Sequence, residues 1–305
     1  MDVAIVGLGR MGSGVAKRLL DGGHAVRVYN RTASKSDELA KQGATALSSL
    51  QELVKALPAP RTIWMYLPSG ETTREHADEL LGYMEKGDVL IDGGNSNFQM
   101  TLSLSEAALK KGVTLLDVGT SGGLAGKDEG YCLMIGGDKS SVERLASLWG
   151  SVAQKEGYQW VGPSASGHYV KMVHNAIEYG MMQAYAEGME LLASSQFGKD
   201  LDLAAVTEVW QHGSIIRSYI GQLLNEAMEE DSSLSTIGAR IDDNGEGRWS
   251  IEEGLRLGVP TPVITASLYA RYQSRIQNSY AYRVAAVIRH KFGGHALAPA
   301  TETTR

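Results

Sequence analysis

The sequence AIVGLGRMG at residues 4–12 decides the fold class of this chain. The apolar run that ends at Val6 predicts a β-strand, and Gly7, Gly9 and Gly12 have the GxGxxG spacing of a dinucleotide-binding turn. In such a turn the first glycine makes the bend, the second lets the backbone approach a pyrophosphate, and the third allows close helix–sheet packing. The N–H groups that begin the following helix point at the anion. We therefore predict a dinucleotide site at Gly7, Leu8, Gly9, Arg10, Met11 and Gly12, with a ligand-free glycine turn as the alternative.

The residues after the second predicted strand bear on the choice of dinucleotide. That strand ends at Tyr29 and is followed by Asn30, Arg31 and Thr32. Proteins that select NAD usually carry an acidic residue here, which binds the ribose 2′-hydroxyl. This segment has no acid, and its side chains offer hydrogen-bond donors to a 2′-phosphate. The sequence therefore favours NADP over NAD, although a surface arginine in a plain turn would look the same.

Strand-like and helix-like segments alternate through the first half of the chain. The apolar runs lie at Val3–Val6, Ala25–Tyr29, Thr62–Leu67, Val89–Ile91, Val113–Val118 and Cys132–Ile135. The helix-like segments between them include Gly12–Asp21, Glu71–Tyr83, Phe98–Lys111 and Lys139–Gly150. This spacing predicts βαβ units and a parallel, doubly wound sheet of the Rossmann type.

The second half has helical periodicity. After a loop at residues 162–167, helix-like segments run to Ser195 and then cover Leu201–Gln211, Ile216–Met228, Ile251–Leu257 and Pro262–Arg289. We predict an α/β dinucleotide-binding domain over residues 1–165, followed by an all-α domain over residues 166–305 that binds substrate and forms the oligomer.

Composition excludes several classes of protein. The chain has 305 residues, a formal net charge of −6 and 43% hydrophobic residues, which is typical of a folded globular protein and unlike a nucleic-acid binder. Its single cysteine, Cys132, allows neither an internal disulfide nor a cysteine-based zinc site. No apolar run reaches the roughly 18 residues of a membrane span, so we expect a cytoplasmic protein with no membrane partner. Residues 271–305 are locally basic, which fits an anion site or merely a solvated helix face.

Four polar side chains share one face of an otherwise apolar helix. Lys171, His174, Asn175 and Glu178 follow the spacing i, i+3, i+4, i+7, and apolar residues surround them, so we expect the helix to be buried. Burying these groups together is costly without partners or a wet cleft, which favours a catalytic cleft over a solvent-facing stripe. A simple pair of Lys171 with Glu178 is disfavoured, because two helical turns separate them by about 10 Å.

Two glycine-rich turns follow predicted strands. They are DGGNS at residues 92–96 and GTSGG at residues 119–123. Ligands of open α/β sheets bind at the carboxyl ends of the strands, and consecutive glycines can expose N–H groups to a carboxylate. Each turn alone could be a plain turn, but together with the polar helix face they form a candidate site.

These motifs resemble those of 6-phosphogluconate dehydrogenases. The resemblance runs from residue 1 to near residue 295 and includes GLGRMG, NRT at 30–32, DGGNS, SGG at 121–123, GHYVKMVHNAIEYG at 167–180, IIRS at 215–218, GEGRW at 245–249 and RHKFGGH at 289–295. The chain is shorter than the long form, whose helical domain is duplicated, so it resembles the short-chain branch.

The resemblance implies a reaction and its residues. It implies NADP-linked oxidation of 6-phosphogluconate at C3 and decarboxylation to ribulose 5-phosphate, a step of the pentose phosphate pathway, with Lys171 as the base, Glu178 as the acid and no metal. It also implies that the substrate carboxylate and hydroxyls are held by Asn95, Ser121, Gly122, Gly123, His174 and Asn175, with Asn95 also near the cofactor. The phosphate would be held by Tyr179, Arg217, Arg248, Arg289 and His295. Because the last two reach in from a neighbouring subunit in this family, a homodimer or homotetramer is implied.

The sequence differs from the long form at two places and leaves two alternative functions to be considered. Arg248 stands where the long form has a lysine, and WMYLPSG at residues 64–70 differs from the long form's loop beside the nicotinamide. One alternative is a β-hydroxyacid dehydrogenase of the 3-hydroxyisobutyrate type, which is disfavoured by Asn95, by Glu178 and by the pair Arg289 and His295. The other is a non-catalytic NADP-binding sensor, in which Lys171 and Glu178 would be idle. The composition of Pro299–Arg305 suggests a disordered end.

Overall fold

The structure, a computed structural model, describes residues 1–299, so most of the segment Pro299–Arg305 lies outside the described residues. Two compact units are present. The first contains Met1–Glu178 and Glu246–Val259, and the second contains Tyr179–Gly245 and the chain from Pro260 onward. The predicted division at residue 165 follows the change from strands to helices, whereas compactness divides the chain within the long helix that starts the second half.

The first unit is built on one eight-stranded sheet with the strand order β3-β2-β1-β4-β5-β6-β7-β8. The strands are β1 (Asp2–Val6), β2 (Ala25–Tyr29), β3 (Thr45–Ala46), β4 (Thr62–Met65), β5 (Val89–Asp92), β6 (Thr114–Ser121), β7 (Tyr131–Gly136) and β8 (Ala153–Gly162). The helices between them are α1 (Arg10–Asp21), α2 (Ala33–Ala40), α3 (Leu50–Ala56), α4 (Glu71–Tyr83), α5 (Phe98–Lys110), α6 (Gly126–Glu129), α7 (Lys139–Arg144) and α8 (Ala146–Val152). The order 3-2-1-4-5-6 over the first six strands confirms the doubly wound α/β fold.

Both faces of the sheet are buried. On β1, Val3 and Ile5 belong to one apolar cluster and Ala4 and Val6 to the other, because successive residues of a strand point to opposite faces. Helices cover both clusters, which explains why the strands read as continuous apolar runs.

The expectation of a parallel sheet is wrong at one pairing of neighbouring strands. β7 pairs antiparallel with β6, whereas the other neighbouring pairs are parallel. The connection of residues 122–130 is too short for a parallel crossover, which needs about a dozen residues or more. The chain therefore turns back on itself after β6.

The remaining helices are α9 (Ser166–Ser194), α10 (Leu203–Trp210), α11 (Tyr219–Asp231), α12 (Glu246–Leu257), α13 (Pro262–Gln273) and α14 (Tyr280–Gly293). By compactness, α9 up to Glu178 and all of α12 belong to the first unit. The predicted single helix Pro262–Arg289 is in fact α13 and α14, because the Ser279 side chain accepts the N–H of Tyr282 and starts a new helix. Within residues 1–299, no helix is both long and apolar enough to span a membrane.

Candidate active site and dinucleotide cavity

A cavity of about 310 Å³ lies at the carboxyl ends of β1, β2 and β4. Its wall includes five residues predicted from the dinucleotide motifs, together with others that the sequence did not single out. The predicted ones are Gly7, Gly9, Asn30, Arg31 and Thr32, and the others are Val6, Tyr29, Lys35, Tyr66, Leu67, Pro68, Thr72 and His76.

The three glycines of the first turn have the geometry that a dinucleotide needs. Gly7 has φ = 91°, a conformation that favours glycine, and a Cβ there would collide with the backbone oxygen of Tyr66. A Cβ on Gly12 would collide with the oxygen of Gly7, so α1 packs directly against the turn. A Cβ on Gly9, by contrast, would meet nothing within 4 Å, and this residue caps the N-terminus of α1. The turn therefore fits a pyrophosphate group, which would lie over Gly9 and the N–H groups of the helix.

The Asn30 amide holds the second loop of the cavity. Its Oδ1 accepts the backbone N–H of Leu8 at 2.9 Å, and its Nδ2 donates to the oxygen of Thr32 at 3.0 Å. Asn30 thus joins the two cofactor loops, while Arg31 and Lys35 supply two positive charges to the cavity wall. Lys35 was not predicted from the sequence, although its place in the first turn of α2, close after Arg31, could have indicated it.

The other residues predicted for the cofactor lie outside the cavity wall. The Leu8 side chain is buried in the core, and its N–H is already bonded to Asn30. Arg10 is exposed at the first position of α1, and Met11 packs partly buried against the core. Asn95 belongs to another turn, where its amide pairs with both backbone groups of Thr120 at 3.0 and 3.3 Å.

One face of strand β6 contacts the start of helix α9. Asp117 accepts the N–H groups of Ala165 and His168 at 2.7 and 2.9 Å, and its burial raises the pKa of its carboxyl. Two residues on, Gly119 leaves so little room that a Cβ would collide with the Lys171 side chain. Two residues further, Ser121 Oγ lies 3.3 Å from His174 Nε2. Because alternate residues of a strand share a face, β6 positions the predicted polar stripe directly.

The polar stripe of α9 is a connected cluster. Lys171 and Asn175 are 5% and 7% exposed, whereas the side chains of His174 and Glu178 are 38% and 40% exposed. His174 Nδ1 lies 3.4 Å from Lys171 Nζ, 3.0 Å from Asn175 Oδ1 and 3.9 Å from Glu178 Oε2. The structure thus brings these four predicted residues together, with the buried pair nearer the sheet.

Burial favours the neutral forms of both bases in this stripe. It lowers the pKa of Lys171, against the attraction of nearby acidic groups. It also lowers the pKa of His174, and the neighbouring Lys171 acts in the same direction. A neutral amine can take a proton from a hydroxyl group, which is the chemistry expected of a general base.

The expectation that this helix is buried holds only in part within the single chain. Met172 and Ala176 are buried, but Val170, Val173 and Ile177 are 37%, 37% and 52% exposed. The first unit covers only the faces of α9 that pack on the sheet and on α12. The apolar periodicity therefore correctly predicts a helix but does not predict which of its faces are buried.

The two predicted glycine turns differ in what surrounds their backbone. In the first, Asp92 accepts the N–H of Gly94 at 2.9 Å and the hydroxyl of Ser96 at 2.7 Å. In the second, Gly122 and Gly123 have φ values of 127° and 54°, and a Cβ on Gly123 would meet nothing within 4 Å. The second turn therefore leaves open space beside its backbone.

The structure distributes the predicted phosphate residues over both units. In the second unit, Tyr179 Oη donates to Asn244 Oδ1 at 2.6 Å, and the guanidinium of Arg271 stacks over its ring at 3.5 Å. Also in this unit, Arg217 is exposed before α11, Arg289 is exposed on α14, and His295 is exposed just after it. Arg248 is exposed on α12 of the first unit. Arg271 was not predicted as a site residue, since the sequence shows only that it is one of several basic residues near the end.

Glu246 is an acidic residue near the polar stripe that was not predicted from the sequence. It is 4% exposed at the start of α12 and forms a side-chain hydrogen bond with Asn175. Its burial raises the pKa of its carboxyl. Residues 1–299 hold no group of three or more His, Cys, Asp or Glu side chains arranged to bind a metal ion.

Two family models match the chain in succession. The first, described as "NAD binding domain of 6-phosphogluconate dehydrogenase", matches residues 2–162. The second, described as "6-phosphogluconate dehydrogenase, C-terminal domain", matches residues 167–292. Together they cover most of the sequence.

Individual relatives agree with these matches. A protein of Haloferax volcanii named "6-phosphogluconate dehydrogenase, NAD(+)-dependent, decarboxylating" is 39% identical over 300 residues, which are 98% of this chain and 99% of the relative. A Plasmodium falciparum 6-phosphogluconate dehydrogenase, solved apo, with NADP+ and with 6-phosphogluconate, superposes with a TM-score of 0.83 at 27% identity. That superposition covers 99% of this chain and 67% of the Plasmodium chain. A Mycobacterium tuberculosis 3-hydroxyisobutyrate dehydrogenase shares the fold at 20% identity with a TM-score of 0.72, over 90% of this chain and 94% of its own.

Proposed function

Because the chain belongs to the 6-phosphogluconate dehydrogenase family, we propose that it oxidises and decarboxylates 6-phosphogluconate to ribulose 5-phosphate and CO2. The chain is an oxidoreductase with an NAD-binding Rossmann domain; its substrate, its choice of cofactor and its site residues are what we propose here. The observation that carries the proposal is the buried Lys171, which lies beside His174 on the same helix face as Glu178.

Lys171 is the proposed general base. Its burial lowers the pKa of the amine, so the neutral form can take the proton of the 3-hydroxyl group. When bound, the nicotinamide ring supplies the acceptor for the hydride that leaves C3. Lys171, now protonated, then stabilises the negative charge on the C3 oxygen while the bond from C2 to the carboxylate breaks.

Glu178 is the proposed acid that protonates C1 of the resulting enediol. Its side chain is 40% exposed, so it can exchange protons with solvent between turnovers. Asn95, Ser121, Gly122, Gly123, His174 and Asn175 are proposed to hold the carboxylate and hydroxyl groups. Ser121 and His174 already contact each other, and the open space beside Gly123 leaves its turn accessible to a carboxylate.

We propose that Tyr179, Arg217, Arg248, Arg289 and His295 bind the phosphate, with Arg289 and His295 acting in a neighbouring subunit's site. This role requires a homodimer or homotetramer. Arg271, stacked on the ring of Tyr179, is a further candidate for this anion.

For the cofactor, we propose a preference for NADP. Arg31 and Lys35 in the cavity wall would pair with a 2′-phosphate, and none of the described residues that line the cavity has an acidic side chain to bind the free 2′-hydroxyl. The name of the Haloferax relative gives it as NAD(+)-dependent, so the rates with NADP and with NAD must be compared.

The test is a set of initial rates with 6-phosphogluconate, with NADP and NAD in parallel and with CO2 release monitored. We expect dinucleotide reduction matched one to one by CO2, faster with NADP at equal concentration. Lys171→Met should retain dinucleotide binding and lose at least about 100-fold in kcat, as for a general base. Lys110→Met, on an exposed position of α5, is the matched control and should retain the wild-type rate.

Either of two results would contradict the proposal and indicate another function. Reduction without CO2, using an unphosphorylated 3-hydroxy acid in place of 6-phosphogluconate, would indicate the 3-hydroxyisobutyrate type. Dinucleotide binding without any turnover, unaffected by Lys171→Met, would indicate a sensor.

A further inference from the structure

Helices α9 and α12 lie antiparallel and are joined by three side-chain contacts. Tyr169 Oη donates to Glu253 Oε1 at 3.4 Å, and Ser250 Oγ donates to the backbone oxygen of Met172 at 3.2 Å. The third contact is the hydrogen bond between the side chains of Asn175 and Glu246. Residue numbers rise along α9 as they fall along α12, so the first turn of α12 lies beside the polar stripe.

This arrangement places a carboxyl group among the stripe residues without exposing it. Glu246 is 4% exposed, and it lies in the first turn of α12, where the positive end of the helix dipole favours a negative charge. The groups that act on it are Asn175, Lys171, Glu178 and His168. Burial and Glu178 raise its pKa, whereas the other three lower it.

Glu246 is the strongest acidic influence on Lys171. Burial lowers the pKa of Lys171, and Glu246, Glu178 and Cys132 raise it in decreasing order. The order has a physical reason. The Glu178 side chain is 40% exposed and is screened by water, while Glu246 interacts through protein of lower effective dielectric. His174, whose Nδ1 lies 3.4 Å from the amine, is a further titratable group beside Lys171.

We propose that Glu246 is a positioning residue of the reaction, whose buried carboxylate sets the proton affinity of Lys171 and orients the Asn175 amide. The catalytic consequence rests on the function proposed above, whereas the effect on Lys171 does not. Lys171 must be neutral to take the hydroxyl proton and charged while CO2 leaves. Burial alone favours the first state, and the carboxylate of Glu246 restores part of the second.

The test measures the protonation of Lys171 without a substrate. Acetic anhydride acylates only the neutral amine, so trace labelling across a pH series, read by peptide mass spectrometry, gives the pH at which Lys171 is half protonated. In Glu246→Gln we expect this midpoint to fall by about one pH unit, because the removed carboxylate no longer stabilises the ammonium. The acid limb of the pH profile of kcat/KM should move the same way.

The control is Glu253→Gln, two turns along the same helix. Glu253 bonds Tyr169 and Arg256, so this substitution should leave the midpoint within about 0.2 pH unit of wild type. If Glu246→Gln folds poorly, Glu246→Met, also uncharged and of similar length, should give a shift of the same sign.

A folded Glu246 variant with an unchanged midpoint would overturn the inference. If the midpoint falls but the wild type does not turn over 6-phosphogluconate, the proposed function fails and the role of Glu246 toward Lys171 stands. The two proposals are therefore separately testable.

Discussion

Asp117 shows how a single buried side chain positions the helix that carries the polar stripe. It is 1% exposed, and its two carboxylate oxygens accept the N–H groups of Ala165 and His168 at the start of α9. The His168 ring continues the connection, since its Nδ1 lies 2.8 Å from Thr101 Oγ1 and its Nε2 lies 3.1 Å from the oxygen of Asp92. These bonds fix the helix one turn before Lys171.

Asp117→Asn should therefore lower stability and activity together. An amide turns one acceptor oxygen into a donor that faces an N–H group, which costs about 1–3 kcal/mol at a buried site. Urea unfolding and kcat would measure the two effects. Asp138→Asn is the control, because Asp138 accepts the N–H of Ser141 at an exposed helix start, where asparagine caps equally well. Equal stability of the two variants would contradict the structural role of Asp117.

Arg31 is the residue on which cofactor preference should depend. Arg31→Ala should raise KM for NADP by about 10-fold or more and change KM for NAD by less than about threefold, because only NADP carries the 2′-phosphate. Lys41→Ala, at the exposed end of α2 and outside the cavity wall, should change neither constant. Equal losses for both dinucleotides would show that Arg31 does not read the 2′-position.

The sequence predicts which side chains lie together where they are close in the chain, and not where they are distant in it. The stripe from Lys171 to Glu178 is readable because helical spacing alone places its members on one face. Glu246 and Arg271 contact residues of that helix from far along the chain. The sequence pattern around Glu246 and around Arg271 does not predict these contacts.

Among the elements, glycine decides how closely β6 and α9 can pack. Gly119→Ala should force them apart, because its Cβ would collide with the Lys171 side chain and lie 2.7 Å from the oxygen of Gly167. We expect a loss of about 1–3 kcal/mol in unfolding free energy and a reduced kcat. Gly188→Ala is the matched control on α9, where a Cβ meets nothing within 4 Å, and it should stabilise the protein by about 0.5–1 kcal/mol. The measurements are thermal unfolding and kcat of the two variants. A Gly119→Ala variant with unchanged stability and kcat would show that β6 and α9 can move apart at this contact without cost.

The elements that the sequence analysis missed share weak local signals. β8 alternates little and carries several polar residues in AQKEGYQWVG, and β3 is only Thr45–Ala46. Both obtain their pairing from a neighbouring strand rather than from their own pattern. The predicted helix Lys139–Gly150 is interrupted at Leu145, which lies between α7 and α8 and is buried. The buried strands and the helices α1, α4 and α5, whose patterns are strong, were predicted correctly to within a few residues.

At the scale of the whole molecule, much apolar surface is left uncovered by the single chain. On α14, Tyr280 and Phe292 are each 75% exposed, and Ile288 between them is 56% exposed. Exposed apolar surface on this scale marks an interaction site more often than a solvated one. It agrees with the proposal that the segment carrying Arg289 and His295 enters a neighbouring subunit.

Hybrid oligomers should test that proposal. Lys171→Met and Arg289→Glu should each be inactive alone, while co-expressed subunits should regain activity, because one of the two sites in a mixed dimer receives both wild-type side chains. For random pairing into dimers we expect about a quarter of the wild-type rate per subunit. Sedimentation would confirm that mixed oligomers form. Mixed oligomers without recovered activity would place Arg289 in its own subunit's site.

The two faces of β6 have one further consequence. Asp117, Gly119 and Ser121 point toward α9, while Thr120 points the other way, with its Oγ1 3.2 Å from the Tyr66 hydroxyl in the cofactor cavity wall. Insertion of a single residue into this strand would exchange the two sets, since side-chain direction alternates. Length variation is therefore expected in the turn of residues 122–130 and not in the strand before it. A laboratory library aimed at new substrates should vary that turn and leave the five residues from Asp117 to Ser121 intact.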